Sequence, residues 1–350
     1  MRYNTLGRTG LVVSELCLGA MTFGTKPGRF GQIHGLDQDA STDLVRQAVD
    51  AGINFIDTAN VYTVGQSEEF VGGALKALGI ARKDIVIATK AMGTMGEGPN
   101  DAGTGRKHVL DQIDASLARL GLDHVDLYQI HGWDPVTPME EALQALEDIV
   151  RTGRARYIGV SNWAAWQITK ALGIAERRGW SSFASLQAYY SVAGRDLERE
   201  LAPMLASEGL GLMVWSPLAG GLLSGKYSFT ENGVEGEGRR AGFDFPPVDL
   251  GRAGPLIEAM RAMGEQRGVS VAQIALAWLL YQPVVSTVIV GAKRADQLAD
   301  NIAATEVELT ADDLAELGRL SALPREYPGW MFETQGSYVT GRISERRRPE

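Results

Sequence analysis

One cysteine, Cys17, is all the chain holds among 350 residues. No disulfide can close within it, and a cysteine-built metal cluster is excluded. Cys17 stands in an apolar run, where a buried structural thiol is expected. Basic residues are also short, with 34 Lys and Arg against 43 Asp and Glu, a net charge of -9. The pI is ≈ 5.2. Neutralising phosphates needs a basic face, so nucleic acid is disfavoured as a main partner. No apolar run approaches the ~18–20 residues of a membrane span. Met1-Arg2-Tyr3-Asn4-Thr5 lacks the apolar core of a signal peptide. A cytoplasmic protein with no membrane partner is the expectation. No Pro- or Ser-rich linker divides the chain, so residues 1–350 are expected to form a single domain. A hydrophobic content of 45% supplies a large core. Nothing selects an oligomeric state.

What is present is alternation. Residues 1–14 read as an N-terminal hairpin, its pattern running over 3–14 with Gly7 and Gly10. Strand-like runs follow at 15–19, 53–57, 84–89, 125–130, 155–160, 182–187, 210–215 and 285–290. Helical stripes follow them at 39–52, 67–79, 106–120, 138–152, 163–179, 197–208, 270–281 and 295–303. Leu44, Val45, Ala48 and Val49 share one helix face, and Leu110, Ile113, Leu117 and Leu120 another. Eight βα units imply a parallel sheet, and a closed (β/α)8 TIM barrel suits the length. An open doubly wound sheet is the alternative. Three stretches escape the pattern: a loop at 22–38, a long loop at 216–254 after the seventh strand, and a tail at 324–350. The tail carries Trp330, Phe332 and the terminal Arg346-Arg347-Arg348. Long loops on the active face of a barrel shape its pocket.

Three consecutive runs end in ionisable groups. Asn54-Phe55-Ile56-Asp57 precedes Tyr62 by one tight loop, the next run ends in Lys90, and the next in His131. In parallel α/β folds the carboxyl ends of the strands share one face. A tyrosine is a poor acid near neutrality, and a nearby ammonium lowers its pKa. Lys90 supplies such an ammonium, and Asp57 its counter-charge. His131 is placed to hydrogen-bond a carbonyl or share the proton. The set suits proton donation to a carbonyl oxygen while another group delivers hydride. A lyase using Lys90 as a Schiff-base amine is a rival.

Asp57-Thr58-Ala59-Asn60-Val61-Tyr62, Ala88-Thr89-Lys90 and Asp126-Leu127-Tyr128-Gln129-Ile130-His131 together resemble the aldo-keto reductases. The likeness is to the branch of bacterial general reductases and potassium-channel β subunits. It runs from the hairpin to about residue 323, with no motif out of order. It implies that Tyr62 is the general acid/base, that Lys90 and Asp57 tune it, and that His131 orients the carbonyl of a small-molecule substrate. The channel subunits typically carry asparagine at the histidine position. A nicotinamide-binding regulatory subunit with little turnover is therefore the second reading.

The resemblance implies NADP(H) bound without a Rossmann fold, and no G-x-G-x-x-G lies between a strand and a helix. Gly103-Thr104-Gly105 is half of one. Gly220-Gly221-Leu222-Leu223-Ser224-Gly225-Lys226 begins like a P-loop, but Tyr227 stands where Ser or Thr is needed. By resemblance, Ser161, Asn162 and Gln187 bind the carboxamide and Trp215 stacks on the nicotinamide. Ser216, Pro217, Leu218, Gly220 and Lys226 take the pyrophosphate. Gly291 and Lys293 open the phosphate-binding helix start, with Gln297, Asp300 and Asn301 at the adenosine and Lys293 on the 2′-phosphate. Asp300 stands where relatives often have glutamate, and Arg239 and Arg240 lie where a further cofactor arginine sits. Met21, Trp133 and Tyr189 are the expected substrate walls, with Trp330 and Phe332 as outer candidates.

Overall fold

Side-chain alternation decides the architecture. The computed structural model describes residues 1–27, 33–230, 233–236, 240 and 244–340. The chain opens with an antiparallel hairpin of β1 (Tyr3–Thr5) and β2 (Val12–Ser14). The barrel strands follow: β3 (Leu16–Gly19), β4 (Phe55–Asp57), β5 (Val86–Ala91), β6 (Val125–Ile130), β7 (Ala155–Ser161), β8 (Phe183–Tyr189) and β9 (Gly211–Trp215). A small hairpin, β10 (Ser228–Thr230) with β11 (Gly233–Glu235), intervenes before β12 (Val285–Val290). All eight barrel pairings are parallel, and β12 closes on β3. This is the expected (β/α)8 barrel with its N-terminal hairpin.

Alternate residues of each strand face outward or inward. Leu18, Ile56, Ile87, Tyr128 and Leu186 join the outer core, under the helices. Cys17, Phe55, Ala88, Leu127, Met213 and Ile289 fill the barrel itself. Leu6 and Val13 of the hairpin join that inner cluster, so the hairpin plugs one mouth of the barrel. The helices meet the sheet through their stripes. α1 (Gln38–Asp50) buries Leu44, Val45 and Ala48, and α2 (Gln66–Leu78) buries Val71, Ala74 and Leu75. Each large aliphatic side chain so buried contributes about 1.5–3 kcal/mol. α3 (Arg106–Leu120), α4 (Met139–Arg151), α5 (Ala165–Arg178) and α6 (Leu201–Glu208) continue the ring.

Boundaries differ from the pattern where pairing continues past the apolar run. β5 extends to Ala91 because Lys90 pairs with Gln129 and Ala91 with Ile130. Lys90 is therefore the penultimate strand residue, not the last. Among its described residues the expected loop at 216–254 contains regular structure. It holds a 3-10 stretch at Ala219–Ser224, the β10–β11 hairpin, and the start of α7 (Leu250–Arg267). Asp249 caps α7, accepting from the backbone N–H groups of Gly251 and Arg252. Gly251, Pro255 and Gly264 obscure this helix in the sequence, although Ala253, Leu256, Ile257 and Met260 are buried at helical spacing. α8 (Val271–Leu280) and α9 (Ala295–Ala303) stand where expected. α10 (Ala311–Leu320), which Thr310 and Asp313 cap reciprocally, is an addition. The 324–350 tail contains α11 (Gly329–Thr340), with Trp330 and Phe332 exposed. Residues 28–32 of the first loop, Arg239 and the terminal arginines Arg346, Arg347 and Arg348 lie outside the described residues. No described helix is long and apolar enough to cross a membrane.

Candidate active site

The inward alternation that places Phe55 and Ala88 in the barrel also aims Asp57 and Lys90 there, each two residues further toward the carboxyl end. By the same period Leu127 is followed by Gln129 and then His131 on the inner face. Tyr62 arrives from the turn after β4. Lys90 is 0% exposed, Asp57 2% and Tyr62 8%. Lys90 Nζ donates to Asp57 Oδ2 at 2.5 Å, to the Thr58 carbonyl at 2.8 Å and to the Tyr62 hydroxyl at 3.3 Å. An ammonium has three N–H donors and no acceptor. All three are spent, so the Tyr62 oxygen must accept and its own proton is free to point away from Lys90.

Burial disfavours the ammonium, but the Asp57 carboxylate and Tyr62 more than offset it, and the Lys90 pKa rises. An amine held as an ammonium has no lone pair for a Schiff base, which weighs against the lyase reading. The Tyr62 result differs from expectation. Burial pushes the phenol above its ordinary value, and Lys90 only pulls part of this back. Desolvation outweighs the neighbouring charge because the ring is enclosed and Asp57 opposes Lys90. Tyr62 is thus a protonated phenol across the neutral range, a loaded donor.

The His131 ring meets Tyr62 edge-on, with centroids 5.6 Å apart. Burial, and then the charge of Lys90, bring its pKa down to about 3. A neutral imidazole beside the phenol hydrogen-bonds a carbonyl without adding charge. One pH dependence follows. Unfolded, the imidazole takes a proton near 6.5; folded, it resists protonation down to about 3. Stability from this group is complete above about pH 6.5 and is lost as pH falls toward 3. His131→Asn should therefore flatten the acid limb of stability measured by denaturation against pH. Parallel curves for the two proteins would refute that environment for His131.

Gln129, which the sequence reading did not single out, completes the cluster. Asp57 Oδ1 accepts from Gln187 Nε2 at 2.9 Å and from Gln129 Nε2 at 3.2 Å. Its period-two spacing from His131 is the signal that could have found it. Gln187, expected at a cofactor carboxamide, here holds Asp57. Ser161 is buried at the end of β7. Asn162 follows it in the left-handed region, donating to Ser161 Oγ and to the His131 carbonyl. Asn162 Oδ1 accepts from Trp215 Nε1 at 3.0 Å. The candidate cofactor residues thus join the catalytic candidates directly.

Trp215 lies between Tyr189, tilted at 5.3 Å, and Phe245, stacked at 5.7 Å and 9°. A nicotinamide on the Phe245 face needs that ring to move. Beyond it, Ser216 Oγ accepts from Gly220 N at 3.0 Å, and Pro217 and Leu218 lead into the glycine turn. Arg240 is buried and donates to the Ala219 and Pro246 carbonyls, both at 2.9 Å. It holds this loop together rather than facing solvent. Lys226 and Lys293 are exposed at the rim, and Gly291 is open. Gln297 Oε1 accepts from the Lys293 backbone N–H at 3.0 Å. Arg294 pairs with Asp296 through two contacts, at 2.8 and 2.7 Å. Asp300 accepts from Ser270 Oγ and Gln273 Nε2, so its carboxylate serves the start of α8, and Asn301 is buried.

Met21 sits partly exposed in the turn after β3, and Trp133 packs edge-on against Trp163 at 4.9 Å and Trp166 at 6.1 Å. Met92 joins this side, because Gly132 leaves room for its sulfur. Among the described residues no group of three His, Cys, Asp or Glu could hold a metal ion.

A buried ammonium bonds a phenol, an imidazole meets the phenol ring edge-on, and an indole is joined through Asn162 to the main-chain carbonyl of His131. The model of the Aldo/keto reductase family matches residues 15–322. A probable voltage-gated potassium channel subunit beta of Oryza sativa subsp. japonica is 37% identical over 316 residues, covering 88% of this chain and 92% of the relative. Versiconal hemiacetal acetate reductase of Aspergillus parasiticus is 35% identical over 334 residues, 91% and 96% of the two chains. The uncharacterized oxidoreductase YrpG of Bacillus subtilis is 36% identical over 347 residues, 97% and 100%. The barrel, its order of motifs and this extent of similarity make the chain a member of the aldo/keto reductase family.

Proposed function

We propose that the protein is an NADP(H)-dependent reductase of small aldehydes or ketones. The observation that carries the reading is the fully spent donor set of Lys90, which leaves the Tyr62 proton available to a carbonyl oxygen. NADPH, when bound, supplies the hydride. Tyr62 gives its proton to the oxygen that gains negative charge, and Lys90 stabilises the phenolate left behind. Asp57, held by Gln129 and Gln187, keeps Lys90 charged. His131 donates a hydrogen bond to the same oxygen and orients the carbonyl. In the oxidation direction the phenolate takes the proton back. Met21, Trp133 and Tyr189 wall the substrate.

The residues present suit a dinucleotide. The turn from Ser216 to Gly221 contains Ser216, Ala219, Gly220 and Gly221 at positive φ; the N–H groups of Ala219, Gly220 and Gly221 donate within the turn and would exchange those bonds for an anion. Pro217 and Leu218 complete that turn, and Lys226 adds a cation near it. Ser161, Asn162 and Trp215 would hold the nicotinamide end, with Gln187 offering its Oε1 to the carboxamide while its Nε2 stays on Asp57. The start of α9 offers Gly291 and Lys293 to a phosphate, followed by Gln297 and Asn301. Asp300 would act there through Ser270 and Gln273.

Lys293→Met should weaken NADPH more than NADH, because only the first carries a 2′-phosphate. Titrations of both nucleotides check this, and an equal loss for the two would move that contact elsewhere. The first test of the whole reading is NADPH oxidation with a panel of aldehydes and ketones, run beside NADH. Turnover supports the reductase. Tight NADPH binding without turnover on every carbonyl would favour the second reading, a nicotinamide-binding regulatory subunit; two relatives are named as probable voltage-gated potassium channel beta subunits.

A further inference from the structure

The turn that carries Tyr62 is built against backbone preference. Thr63 has φ 49 and Val64 φ 53, followed by Gly65 at φ 87. β-branched residues rarely adopt the left-handed region, and two in succession need their surroundings to hold them there. The surroundings are specific. The Thr63 hydroxyl, buried, donates to the Phe23 carbonyl at 2.8 Å. Gly24, at φ 107, lies so close that a Cβ there would sit 2.6 Å from the Thr63 methyl. A Cβ at Gly65 would sit 2.6 Å from Arg119 Cδ. One residue further on, Gln66 Oε1 accepts from the backbone N–H groups of Thr25 at 2.7 Å and Lys26 at 2.9 Å. Ser67 Oγ donates to the Ala20 carbonyl at 2.7 Å.

These bonds all run to one segment, 20–26, which contains Met21. We propose that Thr63 is a positioning residue. Its hydroxyl locks the turn bearing Tyr62 to the loop bearing Met21, so that the proton donor and one substrate wall are held as a unit. Val64 is exposed and makes none of these side-chain bonds. The Thr63 bond is therefore the link at the strained position itself, while Gln66 and Ser67 extend it from the start of α2. The inference rests on the reductase reading for its kinetic part and on geometry alone for the tie.

The test compares Thr63→Val, which keeps shape and loses the hydroxyl, with Thr63→Ser, which keeps the hydroxyl. In Thr63→Val, kcat/KM for the carbonyl should fall on the order of 10- to 100-fold, as misplacement of a reacting group does. The carbonyl KM should rise, and the NADPH dissociation constant should not change. Thr63→Ser should recover most of the loss. Hydrogen exchange of a peptide covering 20–27 should be at least about tenfold faster in Thr63→Val than in wild type or Thr63→Ser. Wild-type kinetics in Thr63→Val, an equal loss in Thr63→Ser, or unchanged exchange would each overturn the proposal. If the wild-type protein reduces no carbonyl, the reductase reading fails by itself, and the exchange measurement still decides whether Thr63 makes the tie.

Discussion

Tyr62→Phe should reduce carbonyl turnover by about 10²–10⁴-fold, the usual contribution of a positioned general acid. The phenyl ring fills the same space against His131, so substrate access should change little and NADPH should bind nearly as before. The missing atom has two consequences. No proton is available at the carbonyl oxygen, and one Lys90 N–H loses its acceptor inside the barrel. A buried donor without a partner costs about 1–3 kcal/mol, so the variant should also unfold at lower denaturant. Steady-state kinetics with an NADPH titration and a urea melt separate the two effects. Turnover near wild type would remove Tyr62 from proton transfer. A second observation follows from the enclosed ring. Because burial raises the Tyr62 pKa, the reduction rate should stay level through neutral pH and fall only on the alkaline side, above the ordinary tyrosine value. A fall near neutrality would mean that the site lowers the phenol pKa after all.

Much of this arrangement is legible in the sequence, for physical reasons. A closed parallel barrel demands βα alternation, and eight apolar runs divided by helical stripes express it directly. Period two along β4, β5 and β6 aims Asp57, Lys90 and the residues around His131 at one interior. What escapes is whatever depends on contact between distant segments. Gln129 is an ordinary polar residue in an apolar run until Asp57 is seen to need a second amide. The direction of the Tyr62 shift depends on desolvation, and no pattern of residue types reports how completely a ring is enclosed. Phe245 lies 30 residues beyond Trp215 in number, yet the two rings stack. The bonds that Ser270 and Gln273 make to the Asp300 carboxylate join segments about 30 residues apart, and no local pattern reports them. Helix α7 was hidden by Gly251 and Pro255, which local propensity penalises and which its buried face overrides.

Lys90→Met tests the other half of the site, and its largest expected effect is on the fold. Methionine matches the length of the lysine stem and packs where the stem packs. The ammonium is lost, however, and Asp57 stays 2% exposed with only the Gln187 and Gln129 amides to face its charge. Removing one partner of a buried ion pair costs about 3–5 kcal/mol, because the remaining charge is left without compensation. The double variant Asp57→Asn with Lys90→Met removes that charge as well, and should regain much of the lost stability. Neither variant should recover turnover, since both lack the cation that stabilises the Tyr62 phenolate. Stability and activity are thus expected to part company across one pair of substitutions. Urea denaturation and NADPH turnover on the same three proteins provide the comparison. If the double variant is no more stable than Lys90→Met, the penalty lies in packing around the stem rather than in the stranded carboxylate. If Lys90→Met keeps substantial turnover, the Tyr62 hydroxyl gives up its proton without the cation, and the role assigned to Lys90 falls.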